Sequence, residues 1–434
     1  MTTTTTSDRL TLRITGGRPL HGSTTVQGSK NIALHLYAAA ILADQPFTLT
    51  GAPAILDTGV CAEILHRTGT HTTVTDGEFE TRPADSYFPV IPDDLGRRIR
   101  TTAVMAAALL ARSGEVTFPL PGGDAFCARY IDLHLAAMEA AGANVEVNRG
   151  RVRARFPGSK RLPFITTVST RKWGPSLGAT VTAMLLAART PGTSSILGPS
   201  IEPEVTVTAE LLARSGVGIT WQGTEALHVT GTDGIAGGVF PVPFDRLEAA
   251  TLALAAAITG GDVHLDAFPP SGFPAGLVSV FADAGILLTA ERAGTTVTVP
   301  TGLRAVEATT GPHPGYPTDV QPQLTATLTR AAGTSRIDER IYSRRDSHLA
   351  ALRQFGAVVN ADGPVITVEG PSRLLAADVA GEDIRAVTAL VLAALAAKGT
   401  STIRGMYHLR RGYGDLPAKL SALGADLTIN QELP

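Results

Sequence analysis

One pattern recurs six times along the chain. A helical run rich in Ala and Leu is followed by a turn, a strand-like stretch, a second amphipathic helix that ends in Gly, and a short strand. The first helices are predicted over Leu36–Ala43, Ala103–Arg112, Ala179–Ala188, Ala249–Thr259, Leu324–Ala332 and Val387–Ala397. The closing glycines, spaced about 70 residues apart, suit a left-handed helix cap and are Gly69, Gly142, Gly216, Gly285, Gly356 and Gly424.

Each repeat contains helices and strands and is longer than the period of an ordinary solenoid. We therefore predict six small α/β folds packed against their neighbours, which divide naturally as three and three. A chain of 434 residues favours two or three domains. The Gly- and Pro-rich segment Asp233–Pro243 is the best candidate boundary between the halves. A cleft between two such lobes is a common place for a small ligand.

Composition excludes several classes of protein. The net charge of −2 provides no field for nucleic acid. Two cysteines, Cys61 and Cys127, make neither a disulfide framework nor a zinc signature. The Thr-rich N-terminus is not a signal peptide, and the apolar runs are shorter than a membrane span. We expect a soluble cytoplasmic protein that binds small molecules rather than nucleic acid or membrane.

The segment Leu120–His134 is the first candidate for chemistry. It begins with a Pro-Gly-Gly sequence that neither a helix nor a strand can continue, and then presents Asp124, Cys127 and Arg129. An acid, a cation and a glycine hinge within a few residues are typical of a catalytic lid. Taken alone, a surface turn whose charges are only solvated explains this segment equally well.

Cationic residues recur at equivalent edges of several repeats. Lys30 and Asn31 follow Gly28-Ser29 near a predicted helix N-terminus, where backbone donors favour an anion. The alternative there is a capping Ser29 beside an exposed lysine. The arginines at such edges are Arg97, Arg98, Arg100, Arg344, Arg345, Arg385, Arg410 and Arg411. Each alone is most often solvated, but several gathered in one cleft would bind phosphate and carboxylate groups.

Two loops display carboxylates. The His313–Asp319 loop presents Asp319, which near arginines could act as a base toward a substrate hydroxyl. An aspartate in a turn is more often a local cap, and that interpretation is preferred on this loop alone. Glu202 and Glu204 form a similar pair that is either functional or solvated. The sequence shows no metal constellation, nucleophilic triad or Walker loop.

Taken together, the repeats and motifs resemble the enolpyruvyl transferase family. The motifs are Gly28–Asn31, Leu120–His134, Pro317–Asp319, Asp383–Arg385 and Arg411–Tyr413, and the resemblance covers essentially the whole chain in order. It implies a fold of the α/β class, a two-lobed inside-out α/β barrel built from six βαβαββ repeats, three per lobe. One lobe is expected over residues 30–243, with a mobile catalytic loop at 120–130, and the other over 1–29 plus 244–434. The active site is expected in the cleft between them.

The resemblance also assigns roles to positions of this sequence. Catalytic roles fall on Asp124, Asp319, Lys30 and Arg411. Phosphoenolpyruvate binding falls on Lys30, Arg100, Arg129, Arg345, Arg385 and Arg411. Binding of a uridine nucleotide falls on Asn31, Arg129, Tyr130, Ile131, Asp132, Leu133, His134, Ser176, Leu177, Gly178, Asp319 and Ile341. The implied reaction transfers the enolpyruvyl group to a nucleotide hydroxyl with release of phosphate and needs no metal or organic cofactor.

The sequence departs from the family pattern at the acceptor end. The stretch Trp173-Gly174-Pro175 replaces a lysine expected before the Ser176 turn, although Lys172 is close by. Ser343 stands where an acidic residue is usual, and Val104 where Trp is common. Two acceptors therefore stay open, UDP-N-acetylglucosamine in peptidoglycan precursor synthesis and UMP in peptidyl-nucleoside antibiotic synthesis. The first is preferred because that reaction is the commoner one in the family. A shikimate 3-phosphate acceptor would leave the Asp132–His134 segment without a use, and an inactive nucleotide-binding homologue would be expected to have lost the cations. The oligomeric state stays open.

Asp124 occupies the position of the family's usual loop cysteine, and some members carry Asp there. A carboxylic acid can serve as the general acid if the closed site raises its pKa. We predict resistance to epoxide inhibitors such as fosfomycin, which alkylate the cysteine, measured as the absence of time-dependent inactivation. Cys127 is not at the matching position. Rapid covalent labelling of Cys127 with loss of activity would contradict this prediction.

Overall fold

A computed structural model describes residues 10–75, 77–124, 126–127, 130–172, 174–291 and 294–431. The chain forms two compact units. The terminal unit comprises the described residues of Met1–Gln27, Asp124–Ala128 and Phe244–Pro434. The central unit comprises those of Gly28–Gly123 and Arg129–Pro243.

The terminal unit starts with two strands, β1 (Leu10–Thr15) and β2 (His21–Thr25). The chain then builds the three repeats of the central unit. The first has α1 (Lys30–Ala40), β3 (Phe47–Thr50), α2 (Leu56–Arg67), β4 (His71–Thr75) and β5 (Glu78–Arg82). The second has α3 (Asp93–Gly96), α4 (Thr102–Ser113), β6 (Glu115–Pro119), α5 (Asp132–Ala140), β7 (Asn144–Asn148) and β8 (Arg151–Arg155). The third has β9 (Ile165–Thr167), β10 (Ser169–Thr170), β11 (Gly174–Pro175), α6 (Leu177–Ala188), β12 (Gly192–Leu197), α7 (Pro203–Arg214), β13 (Gly218–Gln222), β14 (Ala226–Gly231) and β15 (Gly238–Pro241).

Three further repeats complete the terminal unit. The fourth has α8 (Arg246–Thr259), β16 (Asp262–Asp266), α9 (Ala275–Asp283), β17 (Leu287–Glu291) and β18 (Gly294–Thr298). The fifth has β19 (Glu307–Thr309), a 3-10 turn (Thr318–Val320), α10 (Gln321–Leu328), β20 (Gly333–Asp338), α11 (Leu349–Gln354), β21 (Val358–Asp362) and β22 (Val365–Gly370). The sixth has β23 (Asp378–Ala380), α12 (Ile384–Ala396), β24 (Thr400–Arg404), α13 (Met406–Gly412), α14 (Leu416–Ala422) and β25 (Asp426–Gln431).

Five of the six repeats' sheets follow one plan, in which a parallel edge strand joins an antiparallel set, whereas the sheet β6-β8-β7 is antiparallel throughout. The central unit has sheets ordered β15-β3-β5-β4, β6-β8-β7 and β13-β14-β12-β9, and the terminal unit has β17-β18-β16-β2, β19-β20-β22-β21 and β23-β24-β1-β25. Strand β1 pairs antiparallel with β24 and β25, so that Leu12 lies opposite both Ile403 and Ile429. The start of the chain thus completes the sheet of the last repeat.

The first helix of each repeat lies in the core of its unit. In the terminal unit, α8, α10 and α12 contact one another and also contact the sheets. These helices are apolar on nearly every side, as expected for helices that neighbours surround. Their threonines are buried as well, because hydroxyls such as those of Thr251 and Thr388 donate to backbone carbonyls four residues earlier, at 2.8 and 2.7 Å. Helices inside and sheets outside give the α/β fold class predicted from the sequence.

All six predicted central helices are present, although each begins earlier in the chain than predicted. The largest errors are at α1, which begins at Lys30 rather than Leu36, and at α10, which ends at Leu328 rather than Ala332. The closing glycines all have positive φ, between 84° at Gly285 and 107° at Gly69. A residue with a Cβ would be strained there, which explains why glycine recurs.

The segment Asp233–Pro243, predicted as the boundary between the halves, contains regular structure. It contains β15, which pairs in parallel with β3 and so closes the sheet of the first repeat. Gly and Pro are poor strand formers, but both are tolerated at a sheet edge, which is where β15 lies. The chain leaves the central unit directly after this strand, between Pro243 and Phe244. Among the described residues, none of the helices combines the length and apolarity needed to cross a membrane.

An ion-pair cluster ties together the C-terminal ends of the central unit's helices. Arg112 and Arg189, from the ends of α4 and α6, both pair with Asp44 and both donate to the Leu42 carbonyl after α1. Burial opposes the charge of Asp44, but hydrogen bonds from Arg189, the Ile235 amide and Arg112 outweigh it and lower the pKa of Asp44 to about 2. Cations beside the carbonyl ends of helices also match the helix dipole.

We predict that Asp44→Asn destabilises the central unit by about 1 kcal/mol, because the side chain is a third exposed and water screens the pairs. The contribution of the Asp44 charge to the free energy of unfolding should be complete above its unfolded pKa of 3.8 and should disappear as the pH falls through about 2. Urea unfolding at pH 7 and pH 2.5 would measure both effects. Trp173 and Trp221, the two tryptophans, both belong to the central part of the sequence and provide the fluorescence signal. Exposed Asp85 gives the control Asp85→Asn; equal effects of the two variants would contradict the prediction.

Candidate active site

Lys30 begins α1 and is buried rather than exposed. The Ser29 hydroxyl caps the helix by accepting from the Ile32 amide. The Lys30 Nζ lies 2.9 Å from Asp57 Oδ2, and both side chains are less than 10% exposed. The capping role considered for Ser29 is therefore correct, but the exposed lysine of that alternative is wrong. Asn31 is partly buried, and its carbonyl contacts His35 Nδ1 at 2.7 Å.

The Pro-Gly-Gly sequence lets the loop approach the segment before α4. A Cβ on Gly122 would lie 1.7 Å from the Arg97 carbonyl oxygen, so that only glycine fits. Partly buried Arg100 donates to the Tyr130 carbonyl, while the Tyr130 ring is largely exposed. Arg129 lies outside the described residues.

The segments predicted to hold the uridine nucleotide pack against each other inside the central unit. His134 on α5 contacts the Thr182 hydroxyl of α6 at 2.8 Å. A Cβ on Gly178 would lie 2.7 Å from the His134 ring, which explains the glycine. Burial, with further contributions from Arg100 and His35, lowers the pKa of His134 to about 3, so that the ring is neutral near pH 7. Ile131 is buried, Leu133 is partly buried and Asp132 is exposed.

Ser176 caps α6 by accepting from the Ala179 amide, and Leu177 and Gly178 form the first residues of the helix. Gly174, in the short strand β11, has φ +68° and open space where a Cβ would be. A lysine at this position would fit the space but would strain the backbone. Trp173 lies outside the described residues, and Lys172 before it is exposed.

The terminal unit surrounds Asp319 with arginines. Asp319 lies in the 3-10 turn before α10, and its carboxylate oxygens are 3.0 Å from Arg345 and 2.9 Å from Arg385. Both guanidinium groups are almost completely buried. Burial lowers the pKa of Arg385, but the nearby Asp319 charge outweighs it and the pKa is raised overall.

Arg385 is held at the start of α12. The Asp383 carboxylate caps this helix by accepting from the amides of Arg385 and Ala386, both at 2.9 Å. Ser347 donates to the second Asp383 oxygen. The Arg385 guanidinium also donates to the Tyr413 hydroxyl at 2.9 Å, and this hydroxyl contacts Thr251 at the same distance.

Two loop residues that belong to the terminal unit, Asp124 and Phe126, also contact its arginines. Asp124 forms an ion pair with Arg411, and both side chains are largely buried. The Arg345 guanidinium lies 4.6 Å from the Phe126 ring centre and 5.4 Å from that of Tyr342. The two rings meet edge to face, with centres 5.0 Å apart. In this structure the loop therefore supplies both a carboxylate and an aromatic face to the cations.

A second buried network holds the segment that carries Arg411. Glu248, fully buried in α8, accepts from Lys419 at 2.9 Å and from the Gln27 amide at 2.6 Å. The Gln27 side chain in turn bonds the backbones of Gly412 and Gly414, both at 3.0 Å. Burial raises the pKa of Glu248, although the charge of Lys419 opposes this shift.

The arginines that looked alike in the sequence separate into two groups. Arg345, Arg385 and Arg411 are buried and Arg100 is partly buried. Arg97, Arg98, Arg344 and Arg410 are exposed, and two of them form exposed pairs with nearby aspartates, Arg97 with Asp93 and Arg344 with Asp346. Of the two loop glutamates, Glu204 is buried on α7 and Glu202 precedes that helix.

Sequence analysis missed several polar residues of the site. For Asp57 the sequence does contain one signal. At helical spacing Asp57 shares the apolar face of α2 with Val60, Cys61 and Ile64. A carboxylate on a core-facing position needs a buried partner. Glu339 left no comparable signal, since the two hydroxyls that donate to it, those of Thr310 and Thr318, come from other loops. The aromatic residue Phe126 was missed as well, because its partner Arg345 lies far away in the sequence. Among the described residues, no cluster of three or more His, Cys, Asp or Glu side chains could hold a metal ion.

The sequence matches the family described as EPSP synthase (3-phosphoshikimate 1-carboxyvinyltransferase) over residues 14–420. A UDP-N-acetylglucosamine 1-carboxyvinyltransferase from Hyphomonas neptunium is 38% identical over 422 residues, 95% of this chain and 97% of the relative. The enzyme of the same name from Chlorobium limicola is 36% identical over 426 residues, 97% of this chain and 98% of the relative.

Two solved structures resemble the chain over nearly its whole length. The enolpyruvyl transferase NikO from Streptomyces tendae has a TM-score of 0.87 and 25% identity, with 98% of this chain and 99% of that chain covered. EPSP synthase from Acinetobacter baumannii has a TM-score of 0.77 at 16% identity, with 97% of this chain and 100% of that chain covered, which shows a shared fold. The predicted resemblance and fold class are confirmed, and the chain belongs to the EPSP synthase family of enolpyruvyl (carboxyvinyl) transferases.

Proposed function

We propose that the chain transfers the enolpyruvyl group of phosphoenolpyruvate to a hydroxyl of a uridine nucleotide and releases phosphate. The observation that carries this proposal is the Asp319 carboxylate between the buried guanidinium groups of Arg345 and Arg385. Phosphoenolpyruvate carries a phosphate and a carboxylate, the two groups that guanidinium forks match best. Membership of the carboxyvinyl transferase family supports the same reaction.

The proposed chemistry is an addition followed by an elimination. A proton adds to the methylene carbon of phosphoenolpyruvate and leaves a cationic centre on the neighbouring carbon. The acceptor oxygen bonds to this carbon while Asp319 takes the hydroxyl proton. The bond to phosphate then breaks and the methyl group loses a proton, which restores the carbon–carbon double bond and gives the enol ether. Lys30 and the arginines stabilise the charge on the departing phosphate. No step in this scheme requires a metal ion or an organic cofactor.

Asp124 is the proposed general acid, and its ion pair with Arg411 bears on that role. In this ion pair the carboxylate that is proposed to transfer the proton is occupied by the Arg411 guanidinium. We propose that the substrate phosphate replaces Asp124 on Arg411. Release from the cation would then allow Asp124 to take up the proton it donates.

UDP-N-acetylglucosamine is the first candidate acceptor. Relatives that carry this substrate in their names are 36–38% identical over at least 95% of the chain. The residues proposed to hold the nucleotide are Asn31, Arg129, Tyr130, Ile131, Asp132, Leu133, His134, Ser176, Leu177, Gly178, Asp319 and Ile341. A reaction on these metabolites is expected in the cytoplasm.

UMP is the second candidate, and Gly174 is the observation that favours it. The family's lysine is absent here, and the left-handed backbone of Gly174 disfavours any side chain. An acceptor with a single phosphate does not need a cation at this position to hold a second phosphate. The likeness to NikO, itself named an enolpyruvyl transferase, is compatible with either acceptor.

Phosphate release from phosphoenolpyruvate tests the proposal directly. We expect release with UDP-N-acetylglucosamine, and we expect Asp319→Asn to lower kcat by at least about 100-fold because the base is lost. Asp262→Asn, at an exposed aspartate of the same unit, is the control and should keep full activity. Release with UMP alone would move the assignment to the second candidate. Absence of release with both acceptors would contradict the proposed function.

Gly178→Ala tests the nucleotide segment. The added methyl group would meet the His134 ring at 2.7 Å, so the ring or α6 must shift. We expect a rise of about tenfold in KM for the nucleotide and little change in KM for phosphoenolpyruvate, since overpacking of this size costs about 1–3 kcal/mol. Gly158→Ala, where a Cβ meets open space, is the matched control. Equal KM changes for the two substrates would contradict the assignment of this segment.

A further inference from the structure

We propose that Glu339 is a positioning residue for the reaction and that it holds three groups in place: the proposed base Asp319, the arginine Arg345, and the residues Ile341 and Tyr342 that follow β20. The roles of Asp319, Arg345 and Ile341 in this inference rest on the proposed function. The contacts of Glu339 do not depend on it, and they lie entirely inside the terminal unit.

Glu339 follows β20 and is only 3% exposed. The groups of the described residues that donate hydrogen bonds to its carboxylate are hydroxyls and backbone amides rather than cations. One carboxylate oxygen accepts from the Thr310 hydroxyl at 2.9 Å and from the amides of Ile341 and Tyr342 at 2.9 and 3.1 Å. The other oxygen accepts from the Thr318 hydroxyl at 2.9 Å. A buried carboxylate is tolerated only when its oxygens are satisfied in this way.

The Thr318 hydroxyl connects this carboxylate to the cationic site. A hydroxyl has one proton to donate, and in Thr318 that proton points to Glu339. Its oxygen can therefore only accept from Arg345, which donates to it at 2.8 Å. The second terminal nitrogen of Arg345 lies 3.0 Å from Asp319, the residue that follows Thr318. The direction of each hydrogen bond in the chain Arg345–Thr318–Glu339 is thus fixed by the charge of Glu339.

The same carboxylate fixes the bend after β20 that contains Ile341 and Tyr342. Their amides share one Glu339 oxygen, so the backbone wraps around it. Tyr342 in turn places its ring beside the Arg345 guanidinium, at 5.4 Å. Glu339 therefore acts on Arg345 from two directions, through the Thr318 hydroxyl and through the position of the Tyr342 ring.

A glutamine in place of Glu339 would break only one part of this arrangement. Its amide oxygen can replace the oxygen that accepts three hydrogen bonds, and its NH2 group would then face the Thr318 hydroxyl. The Thr318 hydroxyl would lose its acceptor, and its oxygen would then accept from the new NH2 group as well as from Arg345, so that its orientation is no longer fixed. Glu339→Gln and Thr318→Val should thus act in the same direction, because each weakens the link between position 339 and Arg345.

The experiment compares these two variants, their combination and a control. We expect each single variant to raise KM for phosphoenolpyruvate about tenfold and to lower kcat, with KM for the acceptor unchanged, as for loss of one hydrogen bond to a charged group. The double variant should be no worse than either single variant, since both remove one interaction. Thr295→Val removes a fully buried hydroxyl that bonds the Phe268 carbonyl at 2.6 Å, and it should change stability but neither KM.

Crystal structures of substrate-free Thr318→Val and Glu339→Gln provide a test that does not require activity. We expect the Arg345 guanidinium to leave its 3.0 Å contact with Asp319 in both. Three outcomes would each overturn the inference. Thr318→Val could have the same kinetics as Thr295→Val, the losses could add in the double variant, or Arg345 could keep its position. An inactive wild-type protein would contradict the proposed function instead, and the position of Arg345 in the variants would still decide this inference.

Discussion

The central helices of both units are apolar on almost every side, and this constraint decides where polar chemistry can occur. Because α1, α4, α6, α8, α10 and α12 are buried along their length, charged groups can gather only near their ends. The two kinds of end are used differently. At the carbonyl ends in the central unit, Arg112 and Arg189 neutralise partial negative charge and pair with Asp44. These arginines are structural, since the helix dipole already favours them there.

At the amide ends the sign of the charges is opposite to what the dipole favours. Lys30 begins α1, Arg100 precedes α4 and Arg385 lies in the first turn of α12. A buried cation at a helix start requires an anion as its partner. Side-chain carboxylates supply it in this structure, Asp57 for Lys30 and Asp319 for Arg385. An anionic substrate at such an end gains from both the cations and the helix amides, which is the electrostatic basis of the proposed phosphoenolpyruvate site.

The sequence predicted the repeats well because they rest on local and periodic signals. Ala- and Leu-rich runs reveal buried helices, and the closing glycines reveal positive φ whatever the tertiary contacts are. It could not separate Arg345 and Arg385 from Arg344 and Arg410, because burial of a guanidinium depends on partners far away in the chain. Only the resemblance to a family made that distinction. Glu339 was missed for the same reason, since its partner Thr318 lies 21 residues away in another loop.

The arrangement of the contacts also explains how one chemistry can serve different acceptors. Asp319, Arg345 and Arg385 are linked by direct ion pairs, with Tyr413 and Thr318 as further partners, so that a change at any one of them disturbs the others. The segments proposed for the nucleotide are joined instead by packing of His134 on Gly178 and by one contact to Thr182. Gly174 lies outside that contact, next to open space, although its positive φ disfavours a side chain. Under the proposed function, acceptor preference changes at positions such as Gly174 while the groups proposed to act on phosphoenolpyruvate stay in place.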